Sequence, residues 1–140
     1  MIPEFLVTDH PTAQDRAAIL SLLQDFNHRH AAPAKAVPLA ILVPGEDGAV
    51  AGGLHATSVY DWLVVELVFV PEAMRGQGIG SALLARAEEA ARARGCRGVW
   101  LDTFSFQARG FYETLGYRLF GTVEDHPAGA ARYFLKKTLA

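Results

Sequence analysis

A glycine-rich stretch, Arg75-Gly76-Gln77-Gly78-Ile79-Gly80-Ser81, holds the residues of this chain that are best suited to binding an anion. It stands between an apolar run over residues 65–70, typical of a buried strand, and a helical pattern from Leu83 onward. A helix start offers backbone N–H groups without intrahelical acceptors and the positive end of the helix dipole. Glycines let this backbone approach a bulky anion, and Arg75 adds a fixed positive charge. The stretch therefore predicts a phosphate cradle, although a tight strand-to-helix turn would need glycine for its dihedral angles alone.

Residues that are absent from the loop exclude one class of phosphate ligand. No Lys-Ser or Lys-Thr follows its last glycine, so it is not the P-loop of nucleoside triphosphate-binding proteins. A dinucleotide-binding loop would be followed by an acidic residue at the end of a second strand, about 20 residues on. Asp102 ends the next predicted strand at a similar distance. A dinucleotide-binding module therefore stays open at this point, and tight binding of NAD without binding of coenzyme A would select it.

Two motifs together resemble the GNAT family of N-acetyltransferases. The pattern Arg75-x-x-Gly78-x-Gly80, after an apolar strand carrying Glu66, is similar to that family's loop for the pyrophosphate of acyl-coenzyme A. The stretch Phe-Tyr-Glu-Thr-Leu-Gly-Tyr over residues 111–117 resembles the family's second signature. Together the motifs cover residues 60–137, and their occurrence at this spacing makes the resemblance more specific than either motif alone.

The resemblance implies that acetyl-CoA is the cosubstrate and that its pantetheine arm lies in a split of the sheet. The backbone of Val68, Phe69 and Val70 would pair with the pantetheine amides. The pyrophosphate would be held, mostly through N–H groups, by Arg75, Gly76, Gln77, Gly78, Ile79, Gly80 and Ser81. The family often has Asn seven residues before its tyrosine, where this chain has Ser105. Ser105 or Gln107 is expected to supply that polar contact to the coenzyme arm.

The resemblance also implies two catalytic side chains. Tyr112 would face the coenzyme sulfur as the general acid for the departing thiolate, since a phenol with a reference pKa of about 10 is protonated at neutral pH. Helical spacing alone would make Tyr112 a core aromatic. Glu66 sits in an otherwise apolar strand, where a carboxylate is costly unless it is paired or faces a cavity. In many members of the family a Glu at this place takes the proton of the acceptor ammonium, often through water, whereas a structural ion pair or an outward position would also explain Glu66.

Acetyl transfer by direct attack is the function that the resemblance implies. A primary amine of a small molecule or peptide would attack the thioester, a backbone N–H of strand four would stabilise the oxyanion, and no catalytic Ser or Cys would be needed. The alternative is a non-catalytic CoA-binding sensor or assembly protein that has kept the phosphate cradle. Residues 27–40 contain no Asp or Glu, which favours small or anionic amines over polycations as acceptors.

Composition bounds the class of protein. A length of 140 residues suits a single N-acetyltransferase domain over residues 1–140. A net charge of −2 gives no bulk attraction to nucleic acid or to an anionic membrane. No membrane span or signal peptide is evident, and the single Cys96 excludes an internal disulfide, so a cytoplasmic protein is expected. No metal site is expected, because no third ligand stands near His28 and His30. A homodimer paired through the C-terminal strands is common among similar proteins.

The order of strand and helix patterns predicts an α/β or α+β fold, with a mixed sheet flanked by helices. The resemblance implies a mostly antiparallel sheet of six or seven strands that splays open between strands four and five. Strands are expected over 2–8, 37–43, 49–56, from the turn at Tyr60-Asp61 to Val70, 98–103, 117–121 and 133–136, and helices over 12–26, 79–94 and 107–115.

Overall fold

The computed structural model describes all 140 residues and contains three α-helices, six strands and one short 3-10 helix. The elements are α1 (Ala13–His28), β1 (Val37–Pro44), β2 (Val50–Val59), β3 (Trp62–Phe69), the 3-10 helix (Glu72–Met74), α2 (Ile79–Ala93), β4 (Gly98–Phe104), α3 (Arg109–Thr114), β5 (Arg118–Glu124) and β6 (Ala131–Thr138). The chain divides into two compact units, Met1–Ala34 and Lys35–Ala140. None of the helices combines the length and the apolar character that crossing a membrane requires.

The unit Met1–Ala34 is built on α1. Thr12 caps this helix: its Oγ1 accepts a hydrogen bond from the Asp15 N–H at 3.0 Å, and Asp15 Oδ2 accepts one from the Thr12 N–H at 2.8 Å. This reciprocal pair satisfies two donors at the helix start. The strand predicted over residues 2–8 was wrong, because no neighbouring segment supplies the ladder hydrogen bonds that a strand needs.

The unit Lys35–Ala140 contains the whole sheet, whose strand order is β1-β2-β3-β4-β6-β5. All neighbouring strands are antiparallel except β3 and β4, which are parallel. A parallel pair needs a crossover connection, and α2 supplies it between these two strands. The predicted mixed and mostly antiparallel sheet with helices against it is therefore confirmed, with six strands.

The sheet splays open between β3 and β4. These strands pair only over residues 62–65 and 98–101, although β3 continues to Phe69 and β4 to Phe104. Since no strand was formed by residues 2–8, β3 and β4 are the strands predicted as four and five. The expected split is thus confirmed, and its position is set by the last pair, Val65 with Leu101.

A β-bulge at Glu66 lies at the start of this split. Ala56 is opposite Val65, whereas the preceding residue of β2, His55, is opposite Leu67, so Glu66 is one extra residue in β3. A bulge bends a strand and re-aims the side chains beyond it, because the alternation of faces shifts by one residue. The Glu66 side chain therefore stands at an irregular position of an otherwise regular strand.

The core lies between the sheet and α2, which packs against β1, β2, β3 and β4. Its centre is formed by apolar side chains with no more than a few per cent of their surface exposed, namely Ala56, Leu63, Leu84, Ala87, Ala91, Val99, Leu101 and Leu135. One carboxylate, Glu88 of α2, is buried among them and accepts hydrogen bonds from the Tyr117 hydroxyl at 3.0 Å and from Lys137 Nζ at 2.8 Å. This packing holds the two diverging strands on a fixed support.

Candidate active site

The glycine loop leads directly into α2 and leaves its backbone donors free. Gly76 and Gly78 have φ angles of +77° and +80°, a region that favours glycine. The N–H groups of residues 76–81 donate no hydrogen bond within the protein, and the first α2 turn contains no acidic residue. These donors and the positive end of the helix dipole together form a surface that suits an anion.

Arg75 is fixed beside these donors. Its Nε donates a hydrogen bond to the Val70 carbonyl oxygen at 3.0 Å, and its guanidinium lies 5.7 Å from the centre of the Phe69 ring. The loop and α3 are in close contact, because a Cβ added to Gly80 would lie 3.1 Å from Phe111 Cζ. The positive charge and the helix start are therefore held at fixed positions on one side of the split.

The first cavity, of about 580 Å³, is bounded by the end of β3, the glycine loop, the first turn of α2 and α3. Its lining contains one arginine and no carboxylate. The residues that line it are Val68, Val70, Met74, Arg75, Gly76, Gly78, Ile79, Gly80, Ser81, Ala108, Phe111 and Tyr112.

The second cavity, of about 260 Å³, lies in the split itself, between β3 and β4. Its lining contains two carboxylates and no Lys, Arg or His. The residues that line it are Val65, Glu66, Leu67, Val68, Leu101, Asp102, Thr103, Phe104, Gln107, Ala108 and Tyr112. Val68, Ala108 and Tyr112 line both cavities, so the two spaces meet at these three residues.

Tyr112 stands at this junction with its hydroxyl free. Only 8% of the residue is exposed, and its ring packs edge-on against Phe111 and Tyr117. The hydroxyl makes no hydrogen bond within the protein, and it is not sealed from solvent. Burial and, secondarily, the charge of Asp102 raise the pKa of Tyr112 above its usual value. The phenol therefore keeps its proton at neutral pH and is free to donate it.

Glu66 lines the second cavity and is held at one oxygen. Thr57 Oγ1 donates a hydrogen bond to Glu66 Oε1 at 2.6 Å, and His55 Nδ1 lies 3.9 Å from the same oxygen. The other oxygen, Oε2, has no partner in the protein. With 46% of its side chain exposed, Glu66 is neither a buried ion-pair partner nor a fully solvated residue. The structure thus gives it a fixed orientation and one free oxygen.

Asp102 of β4 lines the same cavity and forms an ion pair with Arg132 of the neighbouring strand β6. Arg132 Nε donates a hydrogen bond to Asp102 Oδ2 at 2.8 Å, and this bond raises the pKa of the Arg132 guanidinium. The Asp102 side chain is 22% exposed. Sequence reasoning did not select Asp102 for this site, although a carboxylate in an otherwise apolar strand is the same signal that selected Glu66.

Of the two residues after β4 that were predicted to contact the coenzyme arm, Gln107 lines a cavity and Ser105 does not. Gln107 lines the second cavity, where its Oε1 accepts hydrogen bonds from the Phe104 N–H at 2.7 Å and from Thr103 Oγ1 at 3.3 Å. Ser105 lines neither cavity; its Oγ accepts from the Ala131 N–H at 3.0 Å.

Two other predicted residues also lie outside both linings. The Phe69 side chain is more than half exposed, and Gln77 Nε2 donates to the Ala73 carbonyl oxygen at 3.3 Å. Both were predicted to act mainly through their backbones, which the side-chain positions do not affect. Conversely, Met74, Ala108 and Phe111 line the first cavity without having been predicted to do so.

The mixed sheet that separates between β3 and β4 is the arrangement expected of a GNAT fold. The chain belongs to the acetyltransferase (GNAT) family, whose model matches residues 4–117. The predicted family is thereby confirmed.

Relatives extend the likeness over nearly the whole chain. Acetyltransferase Atu2258 of Agrobacterium fabrum is 38% identical over 133 residues, which cover 95% of this chain and 97% of the relative. Blasticidin-S acetyltransferase of Streptomyces morookaense is 46% identical over 96 residues, covering 68% and 71%. A crystal structure from Agrobacterium tumefaciens superposes with a TM-score of 0.91 at 37% identity, covering 98% of this chain and 100% of that one.

Acetyl-CoA is the cosubstrate of this family, as predicted. The first cavity fits such a ligand, because a pyrophosphate needs hydrogen-bond donors and positive charge. The free N–H groups of residues 76–81 and the guanidinium of Arg75 supply both, and no carboxylate in the lining opposes them. The chain therefore has the donor set that its family membership requires.

Proposed function

We propose that the chain, as one N-acetyltransferase domain over residues 1–140, transfers the acetyl group of acetyl-CoA to a primary amine of a small molecule or peptide. The observation that carries this proposal is the meeting of two chemically different cavities at Tyr112. One cavity has cationic and N–H donors, and the other has carboxylates. An anionic cosubstrate and a protonated amine would thus approach a common point from two sides.

The first cavity is proposed to bind the cosubstrate. Arg75 and the N–H groups of residues 76–81 would hold the pyrophosphate, at about 1.5–3 kcal/mol for each charge-assisted hydrogen bond. Beyond Val65, the edge of β3 that faces β4 has no strand partner. The backbone groups of Val68 and Phe69 on that edge and the Val70 N–H are therefore available to pair with amides and to donate an N–H to a developing oxyanion, while the Val70 carbonyl oxygen accepts the bond from Arg75. When bound, acetyl-CoA supplies an acetyl group already activated as a thioester.

Glu66 and Tyr112 are proposed to move the two protons of the reaction. An amine is nucleophilic only after its ammonium form has lost a proton, and Glu66 would accept that proton through its free Oε2, directly or through water. Thr57 holds the other oxygen and so fixes the carboxylate. Tyr112, protonated and without a hydrogen-bond partner, would donate its proton to the leaving sulfur at the junction of the cavities.

The acceptor is proposed from one relative and from the charge of the second cavity. The relative from Streptomyces morookaense is named for acetylation of blasticidin S, which makes that compound the first acceptor to test. Two carboxylates in the second cavity support an acceptor that is bound as a cation.

Homodimer formation is part of the same proposal. The sheet ends at β5, and an edge strand presents backbone groups that a second chain can pair with. Phe120 and Val123 of β5 are about half exposed, which supports an apolar contact there. Light scattering that gives the mass of one chain at all concentrations would contradict it.

Release of free CoA thiol from acetyl-CoA tests the proposed activity. The panel of acceptors consists of blasticidin S, an aminoglycoside, a polyamine, an amino acid amide and a lysine-containing peptide. Release that depends on an amine, with the N-acetylated amine identified by mass spectrometry, is the expected result. Calorimetric binding of acetyl-CoA without release by any amine would instead favour the CoA-binding sensor.

A further inference from the structure

Two carboxylates line one cavity at the point where β3 and β4 separate. The last paired residues of β3 and β4 are Val65 and Leu101, so the next residue of each strand is Glu66 and Asp102. Both side chains line the second cavity, and no basic side chain does. The position is thus defined by strand register rather than by closeness along the sequence.

Each carboxylate is held from outside the split by one neighbour. Thr57 of β2 donates to Glu66 Oε1 at 2.6 Å, and Arg132 of β6 donates to Asp102 Oδ2 at 2.8 Å. Glu66 Oε2 and Asp102 Oδ1 receive no hydrogen bond from the protein. One oxygen of each residue is therefore fixed, and the other is left for a ligand in the cavity.

We propose that Asp102 binds the ammonium group of the acceptor together with Glu66 and so determines which acceptors are used. This inference rests on the proposed function and extends it from the proton-accepting Glu66 to the residue on the opposite strand. An ammonium has three N–H donors, and the two free oxygens can accept two of them. After Glu66 has taken one proton, rotation about the C–N bond would turn the freed lone pair of the nitrogen toward the junction at Tyr112.

The charges on the two strands match one ammonium. Glu66 and Asp102 carry two negative charges, and Arg132, bonded to Asp102, offsets one of them; His55, 3.9 Å from Glu66, adds a positive charge only when it is protonated. The net charge of −1 suits a single alkylammonium group and does not require a polycation. The acceptor class is therefore a primary aliphatic amine that is protonated in solution, rather than an aromatic amine or an alcohol.

The substitution Asp102→Asn tests this assignment, because it keeps the size of the side chain and removes its charge. The probe is the panel amine with the highest turnover by the native protein. The KM for that amine is expected to rise about 10-fold, with the KM for acetyl-CoA changed less than about twofold. Asp102→Glu, which keeps the carboxylate, is expected to recover part of the loss. Glu124→Gln, at an exposed β5 position outside both cavities, is the matched loss of one charge.

Arg132→Gln separates ligand binding from a merely structural ion pair. If Asp102 binds the ammonium, loss of the competing guanidinium lowers the KM for the amine, the opposite direction to Asp102→Asn. An equal rise of this KM in both variants would overturn the assignment. Thermal unfolding shows whether Asp102→Asn is folded. If it is not folded, the KM for the amine decides the assignment, because this KM is expected to shift in opposite directions in Arg132→Gln and Asp102→Glu.

Different results would overturn the proposed function and the role of Asp102. If the native protein shows no amine-dependent release of CoA, both the proposed function and the role of Asp102 are overturned. Amine-dependent release that is unchanged by Asp102→Asn overturns the role of Asp102 alone.

Discussion

Tyr112 and Tyr117 lie five residues apart, with ring centroids separated by 6.1 Å, yet their hydroxyl groups have different surroundings. Both residues are buried, and burial is the first cause of the raised pKa of each. The Tyr117 hydroxyl donates to Glu88 inside the core, whereas the Tyr112 hydroxyl has no partner and borders two cavities. The same chemical group is thus used once to complete a buried network and once at an open site.

The carboxylates of these two regions differ in the same way. Both Glu88 oxygens are bonded, to Tyr117 and Lys137, and 9% of the side chain is exposed. Glu66 has one bonded oxygen and is 46% exposed. A fully satisfied buried network rigidifies a fold, whereas a held but incompletely bonded group can serve a ligand. Polar side chains of the core therefore differ from those of the proposed site in whether all their polar atoms have hydrogen-bond partners, and not in residue type.

Substitution in the open region is expected to have the largest effect. Glu66→Gln keeps the bond from Thr57 within reach but removes the proton acceptor, so kcat/KM for the amine should fall about 100-fold or more. Steady-state kinetics of CoA release measures this fall. Glu89→Gln, which changes a carboxylate on α2 outside both cavities, is the control. Native kinetics in Glu66→Gln would show that the proposed base is misassigned.

A smaller effect is expected at the cosubstrate end of the site. Arg75→Ala removes the guanidinium from the first cavity and should weaken acetyl-CoA binding about 10-fold, the value of one charge-assisted hydrogen bond. Isothermal titration calorimetry gives the Kd. Arg118→Ala, at an exposed position of β5, is the matched loss of an arginine. If both variants bind acetyl-CoA equally well, Arg75 does not contact its phosphates.

In the closed region the expected effect is on stability. Tyr117→Phe removes the donor to Glu88 and should lower the free energy of unfolding by about 1 kcal/mol, with kcat changed less than about twofold. Urea unfolding followed by circular dichroism measures the first quantity. A large loss of turnover in a folded Tyr117→Phe protein would remove the distinction between the two regions.

The raised pKa values also predict a pH dependence of stability. An unfolded tyrosine ionises near pH 10, whereas burial and Glu88 hold the pKa of Tyr117 above that value in the folded protein. The folded state then binds more protons than the unfolded state, so stability is full below pH 10 and falls above it. When unfolding is measured at about pH 8 and at about pH 11, the free energy of unfolding should fall less between the two in Tyr117→Phe than in the native protein.

Local sequence patterns predicted much of the fold and part of the site. Apolar periodicity located α1, α2 and the strands that became β1 to β6, since these patterns act over a few residues. The glycine loop was identified because its glycines and Arg75 are adjacent in sequence. The strand expected over residues 2–8 failed because strand formation also needs a partner, which the local pattern does not contain.

Contacts between distant segments explain the parts of the site that were not predicted. Asp102 and Glu66 line the same cavity only because of the register of β3 and β4, set by the pairing of Val65 with Leu101. Ser105 has its hydroxyl bonded to Ala131, a contact across 26 residues. Neither fact follows from spacing along the chain, because both depend on how the sheet is assembled.

Turnover of Tyr112→Phe beside Tyr117→Phe decides whether the Tyr112 hydroxyl is the general acid of the reaction. Both substitutions remove one hydroxyl from a buried ring, and both rings lie in the same part of the core. Amine-dependent CoA release should fall about 100-fold or more in Tyr112→Phe, with acetyl-CoA binding retained, and should stay near the native rate in Tyr117→Phe. Native turnover in a folded Tyr112→Phe protein would contradict the assignment of Tyr112 as the general acid, because the departing thiolate would then not need its hydroxyl.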